Sequence, residues 1–141
     1  MSKKICAYSL LVGLVLLVSI GFAQDATLDT DSWKLLKGNW SIWRGKTQAK
    51  SSYEFTDAQT LVIQGVPCYK LSEVTPEAKK TGVYTVFKVK GQTYLAFGWP
   101  SSQGKNAEKL DKAFFLKFDG ANQFEIRVAQ DDPDKIVCKR K

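Results

Sequence analysis

The sequence predicts an all-β domain: a single up-and-down antiparallel barrel of about eight to nine strands, entered through a short N-terminal helical turn. Three observations point there. Short runs rich in β-branched and aromatic residues recur along the chain, separated by turns marked with glycine or proline. Two pairs of these runs meet through Lys90-Gly91 and Asp119-Gly120, which is hairpin chemistry. No stretch beyond the first 23 residues carries a long helical period. Sequential hairpins favour a barrel, because closing the sheet removes its edges. A sandwich is the alternative arrangement.

The domain is expected over residues 24–141, behind a cleaved signal peptide over residues 1–23. Met1-Ser2-Lys3-Lys4 forms a charged start, Ile5 to Phe22 is almost wholly apolar, and Gly21-Phe22-Ala23 places small residues before a cut. A retained membrane anchor is the competing reading, since about 18 apolar residues can span a bilayer. Cleavage is preferred because the small-residue site is good and a polar segment follows at once. Cys6 precedes the apolar run, whereas a lipidated cysteine must follow it. The expected location is therefore secreted or periplasmic, with no membrane span after cleavage.

Residues 24–31 are polar. Asp31 or Ser32 can cap a helical turn over Ser32–Lys37 that sets Trp33 and Leu36 on one face. Gly38 ends it. In the strand that follows, Trp40 and Ile42 face one way, and Asn39, Ser41 and Trp43 face the other. Ser52–Phe55 is a second strand, Thr56-Asp57-Ala58 a break, and Gln59–Gln64 a third strand. Cys68–Val74 alternates well, and the proline-marked segment Thr75–Lys80 is a loop.

Val83–Val89 and Gln92–Phe97 form the clearest hairpin. Ser101–Lys112 is the longest polar stretch of the domain, with a helical turn possible over Asn106–Lys112. Ala113–Phe118 and Gln123–Val128 form the second hairpin. Asp131-Asp132-Pro133-Asp134 turns the chain into a last strand, Lys135–Arg140.

Composition narrows the function classes. The chain has no histidine, which removes Ser-His-Asp and Cys-His machinery and any imidazole base near neutral pH. Carboxylates, lysines and tyrosines remain available, so enzymes are not excluded, only the commonest hydrolytic designs; a non-enzymatic protein is the expectation. The three acids around Pro133 read as a solvated turn, with too few ligands for calcium. No metal or cofactor is expected.

Loss of residues 1–23 takes Lys3 and Lys4 and no acid, leaving 19 basic and 14 acidic side chains, a net +5. The lysines are scattered, the one tight basic cluster is Lys139-Arg140-Lys141, and no RNA-binding motif appears. Nucleic acid is not an expected partner. Cys68 and Cys138 remain after cleavage, and two cysteines in an exported chain most simply form one disulfide. A bridge closing so long a loop contributes on the order of 4–5 kcal/mol in the chain-entropy model. Two isolated thiols do not make a zinc site.

A short helical lead-in, Gly38-x-Trp40 at the start of the first strand and a hairpin meander together resemble a small lipocalin-like domain of the calycin group. The resemblance implies that Trp40 closes the barrel floor and that a basic residue from the last strand packs across its ring. Arg140 is the expected partner, being in phase with Ile136 and Cys138, with Arg127 as the fallback. It also implies that Cys68 and Cys138 tie the C-terminal strand to the barrel wall. The Thr-Asp-Tyr loop motif of the central lipocalins is missing, and 118 residues is short for that family, so long mouth loops and a C-terminal helix are not expected. Avidin-like and fatty-acid-binding barrels share the Gly-x-Trp opening.

An eight-stranded barrel encloses at most one small ligand. The function this implies is binding of a small hydrophobic molecule inside the barrel, with Tyr84, Tyr94 and Trp99 as candidate lining residues, each joining a large apolar face to a polar tip. The alternative is a secreted, non-enzymatic protein-interaction module whose barrel is filled by its own aromatics. Ser101–Lys112 is the first candidate surface for it.

Overall fold

The computed structural model describes residues 26–63, 65–100 and 109–141. The expected signal peptide, residues 1–23, lies outside the described residues. Nine strands and one helix follow one another: β1 (Thr27–Leu28), α1 (Thr30–Leu36), β2 (Gly38–Arg44), β3 (Thr47–Ile63), β4 (Val66–Val74), β5 (Lys79–Val89), β6 (Gln92–Gly98), β7 (Lys112–Phe118), β8 (Gln123–Arg127) and β9 (Lys135–Arg140). All pairings are antiparallel, and the order β5-β4-β3-β2-β9-β8-β7-β6 closes through β5–β6. Eight strands therefore form a closed meander barrel of calycin-like architecture. β1 stands outside it, on Phe87 and Lys88 of β5, beyond the last β5 residue that β4 reaches.

The chain's first and last barrel strands meet in register, with Trp40 opposite Arg140 and Ile42 opposite Cys138. The β5–β6 hairpin turns in two residues, Lys90 (φ 50°) and Gly91 (φ 80°), both left-handed as such a tight hairpin requires. Asp119-Gly120 opens a longer turn, with four residues between β7 and β8.

Two expectations of local structure are corrected. Thr56-Asp57-Ala58 does not break the sheet: β3 runs unbroken from Thr47 to Ile63, with register shifts against β4 between Phe55 and Gln59 and again before Leu61. The Thr56 hydroxyl donates to the Lys70 carbonyl (2.9 Å) and accepts from the Ala58 amide (3.2 Å), occupying backbone groups that the bulge takes out of register. The helix is capped by Asp29 rather than by Asp31 or Ser32, because its carboxylate has three donors. Oδ1 accepts from the Ser32 amide (3.2 Å), and Oδ2 from the Ser32 hydroxyl (2.9 Å) and the Thr93 hydroxyl (2.8 Å). The helical turn expected over Asn106–Lys112 falls partly outside the described residues, and its last residue, Lys112, is already strand.

Alternation divides the apolar side chains into two groups. Leu36, Trp40, Ile42, Phe55, Tyr69, Leu71, Tyr84, Val86, Leu95, Phe97, Leu116, Phe124, Ile126 and Cys138 pack together inside the barrel. The opposite faces of β4 to β7 carry a second cluster that includes Val66, Cys68, Val83, Phe87, Ala96 and Ala113, covered in part by Ala26 and Leu110. The segment over this outer layer runs close: a Cβ on Gly98 would collide with the Lys109 carbonyl.

The expected Cys68–Cys138 disulfide is not formed; both cysteines are free and buried. Two strands, β3 and β2, separate β4 from β9. At the usual strand spacing that places the backbones about 14 Å apart around the wall, against the 4.4–6.8 Å a disulfide spans. Cys68 also faces the outer layer while Cys138 faces the barrel interior.

Candidate functional site

The two ends of the barrel differ in construction. One end is shut by α1 and by residues from both termini of the domain. Gly38 adopts φ 124°, conformational space that side chains avoid, and turns the chain from the helix into β2. Trp40, fully buried, donates its indole N–H to the Leu36 carbonyl at 2.7 Å. Arg140 lies across that indole, its guanidinium carbon 4.2 Å from the ring centroid. The same guanidinium donates to the carbonyls of Leu35 (2.6 Å), Lys37 (3.0 Å) and Ala121 (3.1 Å).

Three consecutive carbonyls at the helix C-terminus are thus satisfied by two side chains. A cation sits where the helix dipole is negative. On the floor, Trp33 stacks on Tyr69 at 4.7 Å, and Phe124 meets Trp40 edge-on at 4.7 Å. Arg127, the fallback partner, lies on β8 and instead joins Glu125 (3.0 Å) and the Asp132 carbonyl (2.7 Å).

The other end is a cleft of about 770 Å³. It lies among the ends of β2, β7, β8 and β9 and the β8–β9 loop. Its base is apolar: Phe114 of β7, Ile126 of β8 and Ile136 of β9, all belonging to or packed against the interior cluster. Its rim carries Arg44, Lys112, Lys135, Asp132 and Asp134. Arg44 continues the inward phase of Trp40 and Ile42, and Lys112 that of Phe114 and Leu116, so strand alternation aims both at the mouth.

The three candidate lining residues are not brought together. Tyr84 is fully buried in mid-barrel, donates its hydroxyl to the Thr56 carbonyl at 2.7 Å and packs edge-on to Phe55 at 4.9 Å. Burial pushes its phenol well above the usual range, and Trp33 Nε1 approaches that hydroxyl without completing a hydrogen bond. Trp99 packs on the interior cluster beyond the end of β6, 6.3 Å from Phe97, with Lys80 Nζ 4.6 Å over its ring. Tyr94 belongs to the outer layer, between Phe87 (5.4 Å) and Phe115 (5.0 Å). Trp43, opposite in phase to Trp40, is half-buried under Lys139 (4.5 Å).

Comparison with protein-family models, with curated proteins and with solved structures found no match. The chemistry of the mouth must be taken from its own residues. Among the described residues no group of three or more potential metal ligands is present, and no helix is long and apolar enough to cross a membrane.

The cysteines and Tyr53 complete the electrostatics. Burial pushes the Cys68 thiol up to about 11 and the Cys138 thiol up to about 12. Tyr53, opposite Trp40 on β3, is raised well above the phenol range by burial, then by Glu73 and Cys138, with Arg44 opposing. None of these groups is poised to act as a base or nucleophile at neutral pH.

The mouth residues could have been found from strand phase alone. Extending the inward alternation to the strand ends gives Arg44 on β2, Lys112 and Phe114 on β7, and Ile136 on β9. Selecting residues by aromatic character instead favoured Tyr94, whose phase is opposite.

Proposed function

We propose that the protein is an exported, non-enzymatic, lipocalin-like carrier that takes a small hydrophobic molecule at the open end of its barrel. The observation that carries this reading is the asymmetry of the two ends. One is sealed by Trp40 and Arg140; the other is a cleft of about 770 Å³ with an apolar base. That volume lies within the roughly 300–1,000 Å³ of small-molecule sites. Titration calorimetry against a panel of fatty acids, retinoids and haem-like compounds tests it. The expected result is saturable one-to-one binding, lost in Ile136→Arg, which places a charge on the base of the cleft. No saturable binding across the panel, or binding unchanged in a folded Ile136→Arg, overturns the reading. Export predicts a mature protein that begins at Gln24 when its N-terminal mass is measured.

The filled aromatic interior favours a second reading, a secreted protein-interaction module. Phe55 alone contacts Tyr53, Tyr84, Phe97 and Phe124 at 4.9–6.3 Å. A purified exported partner that binds stoichiometrically, with no small-molecule uptake, decides for it.

A further inference from the structure

We infer that the molecule taken at the mouth has one anionic head group, held by Arg44 and Lys112 above the apolar base. This rests on the carrier reading and adds the chemical class of the ligand. The charged groups of the rim are not equally free. Lys135 Nζ is 3.1 Å from the Glu125 carboxylate. Asp132 Oδ1 accepts from the Asp134 amide at 2.9 Å. Arg44 and Lys112 make no hydrogen bond or ion pair among the described residues, and Asp134 is the one rim acid whose carboxylate is likewise uncommitted. Arg44 and Lys112, both borne by strands, are thus without a protein partner among the described residues, while the rim's two acids, Asp132 and Asp134, lie on the β8–β9 loop.

Position makes this asymmetry matter. Arg44 and Ile136 continue the β2–β9 ladder past Trp43 and Val137 as opposite neighbours, and Lys112 precedes Phe114 by two residues on the inward phase of β7. Each free cation therefore neighbours an apolar residue of the base, Arg44 across from Ile136 and Lys112 one inward position beyond Phe114, on two different strands. A ligand whose chain lies on Phe114, Ile126 and Ile136 has its head at the level of these two charges. A guanidinium binds carboxylate or phosphate through paired N–H donors, and an ammonium beside it adds charge without fixing geometry. A neutral head would leave both cations without a partner, and a cationic head would meet repulsion from both. The ligand class is a single-chain amphiphile with a carboxylate or phosphate head.

Four probes of equal chain length separate the possibilities: dodecanoate, dodecyl phosphate, dodecanol and dodecyltrimethylammonium, each below its micelle concentration. Affinities are measured by calorimetry for the wild type, Arg44→Gln, Lys112→Gln and the double variant, all at exposed positions and checked for fold by circular dichroism. One or both anionic probes should bind at least about tenfold more tightly than dodecanol, with the ammonium probe weakest. The anionic preference should shrink as salt rises from about 20 to about 500 mM, as expected for a partly exposed charge contact. In the double variant it should fall to within about twofold of dodecanol, with dodecanol affinity unchanged. The ratio of dodecanoate to dodecyl phosphate tells which head is preferred. Equal binding of dodecanol and both anions by the wild type overturns the inference and leaves the carrier reading standing, as does a double variant that keeps the preference. Failure of all four probes to bind overturns the inference, and the carrier reading is then decided by the wider panel of fatty acids, retinoids and haem-like compounds.

Discussion

A Cβ atom added to Gly38 would lie 2.8 Å from Arg140 Nη1. Residues 102 positions apart are therefore mutually dependent, since the glycine leaves the space through which the guanidinium reaches the Lys37 carbonyl. Gly38→Ala should cost about 1–3 kcal/mol, through strain at φ 124° and displacement of the arginine. In an Arg140→Ala background the same substitution should cost measurably less, because only the backbone strain remains. A double-mutant cycle from urea unfolding reads the difference. Strict additivity would mean that the two residues do not share the space.

Asp29 makes stability depend on pH at the acid end. Burial works to raise its pKa, but hydrogen bonds from Thr93 and Ser32 and the Lys88 charge outweigh burial and hold it below 3.8. A carboxylate lowered on folding adds stability above its unfolded value, and that stability is lost as pH falls through the lower folded value. Asp29→Asn keeps one capping oxygen but loses the acceptor that holds the Ser32 and Thr93 hydroxyls, and should therefore destabilise the domain by about 1–2 kcal/mol near neutrality. Its stability should also fall less steeply than the wild type's below about pH 4. Parallel acid limbs for the two proteins in denaturant titrations would contradict this.

The thiols give a direct test of the strand order. Both should react slowly with a thiol reagent in the native protein, since at pH 8 about one buried Cys68 in a thousand is thiolate at a pKa of about 11. Cys68 and Cys138 should both react at once in denaturant without any reductant. Release of none under those conditions would mean a bridge has formed, and the barrel registers between β4 and β9 would have to be redrawn.

Lys90 is the one described residue other than glycine with positive φ, at 50°. Asparagine tolerates that conformation better than lysine does. Lys90→Asn should raise stability by about 0.5–1 kcal/mol, visible as a later urea midpoint at unchanged slope. A loss of stability would show that the lysine side chain contributes a contact worth more than the backbone preference.

Where sequence and structure agree, a local chemical signal was strong enough to act alone. Lys90-Gly91 marks a two-residue turn, and Ile136-Val137-Cys138 is a short apolar run, opened by two β-branched residues, that follows a proline-marked loop. Where they differ, the deciding term lies elsewhere in the fold. Thr56-Asp57-Ala58 has the composition of a break, yet the Thr56 hydroxyl bridges the bulge by bonding to β4. Asp29 outcompetes Asp31 as the cap because Thr93 and Lys88, about sixty residues on, supply its partners. Tyr94 and Leu95 are adjacent and both apolar, since β5 to β7 are covered on both faces. Alternation there does not reveal which face is inside. The mouth draws its residues from four strands, so no single stretch of sequence displays it.

The pairing of β2 with β9 also sets an order of events. A chain that emerges amino end first, from a ribosome or a membrane pore, can form its hairpins as it appears. It cannot close the ring, cover Trp40 or satisfy the helix carbonyls until β9, Lys135–Arg140, has come through. Until then Trp40 lacks the guanidinium across its ring, and the open edges of β2 and β8 are available to chaperones or to other chains. Assembly is thus held back until β9 is available, and a protein clipped just before Lys135 would lose its closure entirely rather than a proportionate share of its stability.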